Sequence, residues 1–157
     1  MPWRIPGLVL LPSPIKRLPL FLSLGRIEDA IKASKKAIAL SPGFTEAYSN
    51  LGLAYQSAGR NEDAIDVLKM AAQFRPDDAR VYNNLGIAYD KTGRTDQAIA
   101  TYKKAIELDP GHGGAYSNLA LTYFKLKQYK LAIKYHDKAK ELGFANPKLS
   151  RMLEPLR

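Results

Sequence analysis

Few residues in this chain could do chemistry. His112 and His136 are its two histidines, and neither has a partner at triad or metal-ligand spacing. His136 falls on an expected helix in a column shared with Leu68 and Tyr102, which reads as packing. The acidic pairs Glu62–Asp63 and Asp77–Asp78 fall at expected helix starts, where the backbone dipole accounts for them. No GxSxG, HExxH or phosphate-loop pattern occurs. With no cysteine, disulfides, zinc thiolates and thiol catalysis are removed together. The expectation is a non-catalytic protein that needs no cofactor or metal. What recurs instead is amide chemistry at Asn50, Asn84 and Asn118, spaced 34 residues apart. A side-chain amide both donates and accepts, so evenly spaced amides can grip the C=O and N–H of an extended peptide. The same column also reads as a residue that merely serves the fold.

The elements that carry those asparagines are written by the same period. Tyr48, Tyr82 and Tyr116 form one column, followed by Leu51, Leu85 and Leu119, then Gly52, Gly86 and Ala120, then Tyr55, Tyr89 and Tyr123. Spacings of three and four place these on one helical face. Gly25, Gly59 and Gly93 stand where a helix end would need positive φ. NEDAI and TDQAI then offer Asn61 and Thr95 as caps for a second helix. Alanine columns run through Ala30, Ala64, Ala98 and Ala132, and through Ala37, Ala71, Ala105 and Ala139, where helices would approach closely. Pro42, Pro76 and Pro110 close the units. The pattern predicts first helices over 45–57, 79–91 and 113–126, and second helices over 27–40, 61–74, 95–108 and 129–142.

The signature Tyr48, Leu51, Gly52, Tyr55, Ala64, Leu68, Pro76, rewritten as Tyr82, Leu85, Gly86, Tyr89, Ala98, Tyr102, Pro110, resembles the tetratricopeptide repeat. A third copy keeps Tyr116, Leu119, Tyr123, Ala132 and Ala139 but departs at Ala120, His136 and Phe144. The resemblance implies an all-α, right-handed α-solenoid of stacked helix–turn–helix units. The units divide as a partial repeat over 20–44 and full repeats over 45–78, 79–112 and 113–146. Residues 147–157 read as a capping helix with Leu149, Met152 and Leu153 on its covered face. Residues 1–19, interrupted by prolines, read as an irregular leader. Those prolines and the lack of a clean cleavage site argue against a secretory signal, so the expected compartment is the cytoplasm.

The resemblance further implies that the first helices line a concave groove. Its outward positions are then the asparagine column Asn50, Asn84 and Asn118, with Asn83 beside it, the aliphatic row Leu53, Ile87 and Leu121, and the basic Arg80, Lys91 and Lys125. Some tetratricopeptide proteins, a protein-glycosylating enzyme among them, use such an asparagine ladder on peptide backbone. The chaperone carboxylate clamp of other members would need Lys and Arg where this chain has Gly114 and Asn118, so that use is not expected. The implied partner is a protein or peptide segment, extended or acidic. A second reading is self-association through an uncovered N-terminal edge with Leu20, Phe21, Leu22 and Ile31 exposed. The net charge of +9 sits at the two ends of the chain around a balanced middle. No single basic face with stacking aromatics is written, which disfavours nucleic acid, and no apolar run approaches a membrane span. The lysines Lys127, Lys130, Lys134 and Lys138 form a stripe expected on the convex side.

Overall fold

Apolar residues recurring at three and four leave each amphipathic segment only one way to leave water, against another helix with the same stripe. The computed structural model describes residues 25–157. Its helices are α1 (Ile27–Leu40), α2 (Thr45–Ser57), α3 (Asn61–Phe74), α4 (Ala79–Lys91), α5 (Thr95–Leu108), α6 (Gly113–Lys125), α7 (Tyr129–Glu141) and α8 (Pro147–Leu153), with a 3-10 turn over Glu154–Leu156. No strand occurs among the described residues. Each helix in α1–α7 starts and stops within a residue of the sequence expectation. The leader over 1–19 and the residues Leu20, Phe21 and Leu22 lie outside the described residues. Ile31, expected to be exposed on the N-terminal edge, is buried.

Successive helices pack as hairpins, and each hairpin stacks on the next. The first helices also touch one another directly, α2 against α4 and α4 against α6, whereas no comparable contact joins the second helices. One layer is therefore inner and the other splayed outward, which makes an all-α solenoid with a concave face built from α2, α4 and α6. Both alanine columns lie in the interface between layers; Ala64, Ala98 and Ala132 expose 0% of their surface. Closer approach of backbones needs side chains of that size.

The turns inside each hairpin are stereotyped. Arg60 N–H donates to Tyr55 C=O at 2.8 Å, Arg94 to Tyr89 at 2.9 Å and Gln128 to Tyr123 at 3.0 Å, closing a Schellman turn each time. The residue inside the turn has positive φ: 74° at Gly59, 75° at Gly93 and 59° at Lys127. Lys127 holds the same conformation without glycine's freedom, at a cost of about 1 kcal/mol. The caps differ from expectation. Asn61 and Thr95 are already helical, and the N-cap positions are Arg60 and Arg94, with no side-chain cap bond. Arg60 instead reaches one turn on to Asp63, 2.6 Å away, as Arg26 does to Asp29. The Schellman turn fixes the chain's entry so closely that the residue after it must be the cap, whatever its type.

The C-terminal helix α8 covers the exposed flank of α7. Asn146 caps it by accepting from the N–H groups of Lys148 and Leu149, both at 3.1 Å, and Pro147 opens it. Leu149 and Leu153 are its buried face, four residues apart; Met152, expected with them, is turned outward. Opposite lies His136, 1% exposed, whose Nε2 is 2.8 Å from Ser150 Oγ. The Ser150 hydroxyl donates to Asn146 C=O at 3.1 Å, so it accepts from Nε2–H. His136 Nδ1 is then left bare, buried and without a partner among the described residues.

Burial lowers the His136 pKa below the usual histidine range, with Arg157 and Lys140 adding to the effect and Asp137 opposing it. The unfolded chain thus binds a proton more readily than the folded one, and stability rises with pH through this interval. The contribution is complete above about pH 6.5 and is lost as pH falls below it. The expected result is a thermal midpoint that drops between pH 7.5 and pH 5.5, above the carboxylate range. The drop should flatten in the double variant Ala120→Gly, His136→Leu, which copies the Gly52–Leu68 pair of the first unit. An equal slope in wild type and variant would remove His136 from the account.

Candidate groove on the concave face

The inner layer is stitched across repeats by polar side chains. Gln56 of α2 is buried and donates from Nε2 to the backbone carbonyl of Asn84 in α4 at 2.7 Å. Asn118 of α6 donates from Nδ2 to Asn83 Oδ1 at 3.0 Å. Lys125 of α6 pairs with Asp90 of α4 at 2.6 Å. These three bridges tie neighbouring first helices together along the groove. Gln56 was not foreseen in that role, because its column reads Gln56, Asp90 and Phe124, with no repeat to mark it.

The bridges sort the expected groove residues. Asn83 is 9% exposed and already committed to Asn118, so it belongs to the wall rather than the surface. Lys125 is neutralised by Asp90. Arg80 is held by the Asp78 carboxylate through Nε at 3.0 Å and Nη2 at 2.7 Å. That hydrogen bond holds the Asp78 carboxyl below the usual carboxylate range and raises Arg80, while Asp78 also caps α4 by accepting from Arg80 N–H at 3.0 Å. Of the cations expected to make the groove basic, only Lys91 stands exposed with no ion-pair partner among the described residues. Leu53, Ile87 and Leu121 are half-buried, giving a shallow apolar strip.

Asn50 and Asn84 stand apart. Both are half-exposed, and neither side-chain amide has a hydrogen-bond partner among the described residues. They share one open cleft of ≈ 180 Å³ with Glu46, Ser49, Leu53, Asp78 and Arg80. Arg80 is matched by Asp78, so the Glu46 carboxylate leaves this cleft one negative charge in excess, and its remaining free polarity is the Ser49 hydroxyl and the two amides. His112, expected only in a turn, proves to cap α6, its Nδ1 accepting from Ala115 N–H at 3.2 Å. Among the described residues no group of three His, Cys, Asp or Glu could hold a metal, and no helix is long and apolar enough to cross a membrane.

An inner layer of first helices, an outer layer of second helices and an open polar trough define a helical-repeat scaffold. Tetratricopeptide repeat models match residues 45–110 and 83–147, and a TPR repeat model matches residues 20–59. The chain belongs to the tetratricopeptide repeat family. A crystal structure of MamA is 33% identical over 85% of this chain and 81% of its own, with a TM-score of 0.73. A thermophilic TPR protein from Thermus thermophilus is 25% identical over 90% and 78%, with a TM-score of 0.78. Pseudomonas aeruginosa pilF shares the fold, at 23% identity over 92% and 66% and a TM-score of 0.83. No curated protein matches. The fold is that of a protein–protein interaction scaffold, a class whose members are typically non-catalytic.

Proposed function

We propose that the protein binds an extended peptide segment in the concave groove, holding its main chain rather than reading its sequence. The observation that carries this reading is the pair of unbonded amides, Asn50 and Asn84, facing one cleft from neighbouring helices. An asparagine in mid-helix is a poor helix former, and these two gain no internal hydrogen bond in exchange. Each can donate to a peptide C=O and accept from its N–H at once. Leu53, Ile87 and Leu121 would take one or two apolar side chains along the strip. Because Arg80 and Lys125 are already neutralised, Lys91 is the one groove cation left to favour an acidic residue, and the segment need not be strongly acidic. Asn118 plays a lesser part, since its Nδ2 is spent on Asn83.

The test is a peptide-display selection on the intact chain, followed by titration of the selected peptides against variants. Asn50→Ala, Asn84→Ala together should weaken binding about tenfold to a hundredfold, the loss of two to four modest hydrogen bonds, with helical circular dichroism unchanged. Undiminished affinity in the double variant would remove the amides from the mechanism.

A further inference from the structure

The end of the solenoid built from α7, α8 and their turns carries a surface that the groove does not use. Its acids are already paired: Asp137 with Arg157 at 2.5 Å, Glu141 with Lys138 at 2.7 Å and Glu154 with Arg157 at 3.7 Å. Lys127, Lys130, Lys134, Lys140, Lys148 and Arg151 remain without an ion-pair partner among the described residues. At about 100° per residue, Lys130, Lys134 and Lys138 fall within roughly a quarter of the circumference of α7, with Lys127 in the turn just before it. The same end holds Leu126, Leu131, Phe144, Met152 and Leu156, all more than a third exposed, whereas Leu40, Met70 and Phe74 are the other large apolar side chains so exposed among the described residues. This end therefore combines free cations, which also occur elsewhere at Lys32, Lys35 and Lys36, with most of the protruding large apolar side chains among the described residues.

We propose that this end docks on an anionic lipid surface, with the α7 lysines against headgroups and Leu126 and Leu131 dipping into the interface. The choice of partner follows from shape and charge type. α7 belongs to the splayed outer layer, and the cleft at this end is lined by the ion-paired Asp137, Glu141, Glu154 and Arg157 with Lys140, leaving no apolar slot for a peptide side chain. A fluid, flat surface needs no slot. The free charges are nearly all lysine, compact point charges suited to a diffuse anionic field, rather than arginine, whose fork favours defined carboxylates or phosphates. Lysines flanked by exposed leucines are the composition of surface-lying helices. An acidic protein is the competing partner, and the experiment separates the two.

The full chain is sedimented with vesicles of phosphatidylcholine alone and with vesicles carrying about 30% phosphatidylserine, at low and at about 0.5 M salt. The expected result is sedimentation with the anionic vesicles only, abolished by salt. Lys127→Ala, Lys130→Ala, Lys134→Ala should weaken it at least tenfold, and Leu126→Ser, Leu131→Ser should weaken it with the charges intact. Asn50→Ala, Asn84→Ala should sediment like wild type, which separates this surface from the groove. The proposal is overturned by failure to sediment with anionic vesicles, by equal sedimentation with neutral ones, or by an unaffected lysine variant. Retention on immobilised polyglutamate without vesicle binding would assign the surface to an acidic protein and overturn it too.

Discussion

Gly86→Ala is expected to destabilise the fold by about 1–3 kcal/mol through overpacking, even though alanine is the better helix former by about 1 kcal/mol. A Cβ at position 86 would lie 2.6 Å from Tyr102 Cε1 and 2.7 Å from Cδ1. The ring is 2% exposed and rigid, so it can yield only by moving bodily and pushing α5 away from α4. The first unit has the same arrangement, with Gly52 against Leu68, where a Cβ would lie 2.6 Å from Cγ. The third unit has Ala120 and His136 at the two equivalent positions of the 34-residue period, both buried. Tyr102→His should therefore be more tolerable with Gly86→Ala than alone. A double-mutant cycle in urea should return a favourable coupling of roughly 0.5–3 kcal/mol. A Gly86→Ala protein as stable as wild type would show that the two helices have slack at this contact.

That pair also marks how far the sequence could be read. Helix positions were legible because each unit repeats the same stripe, and three copies average out local exceptions. The glycine–aromatic contact was half legible. The columns at 52, 86 and 120 and at 68, 102 and 136 were visible, but only packing shows that they change together. Phe144 is similar. It departs from the proline column, and its ring lies against Gly113, where a Cβ would collide with it; the other units have Thr45 and Ala79 at that position. The groove was less legible. Outward-facing columns could be counted, yet whether an asparagine is free or bonded depends on residues one repeat away. Asn83 and Asn118 find each other 35 positions apart, and Asp90 cancels Lys125 at the same separation. Periodicity reports which face a side chain occupies; it carries no information on which neighbour has already claimed it. The caps failed for a related reason: propensity named Asn61 and Thr95, while the geometry of the preceding turn had already assigned the cap to arginine.

Leu153→Ala should cost about 2–5 kcal/mol of local stability, the usual range for a large side chain removed from a filled site, and should release α8 before the rest of the fold. Seven residues are too few to hold a helix in isolation, so α8 persists only through what it buries and bonds. Leu149 and Leu153 supply the burial, at 1% and 0% exposure. The Asn146 cap and the His136–Ser150 hydrogen bond fix its register against α7. Removing Leu153 takes away one of two apolar anchors, and the remaining polar contacts cannot replace it, because each is exchanged for a bond to water once the helix lifts. Hydrogen exchange separates local from global loss. The amides of Ser150 and its neighbours should lose protection by orders of magnitude while those of α4 and α5 keep theirs. Met152→Ala, one position away and outward-facing, should leave both sets unchanged. If Met152→Ala deprotected α8 and Leu153→Ala did not, the helix would sit on α7 rotated by about 100° from the face described. Lys148, four residues before Met152 on α8, would then turn toward the protein with it, while the α7 lysines of the lipid-docking surface would keep their place.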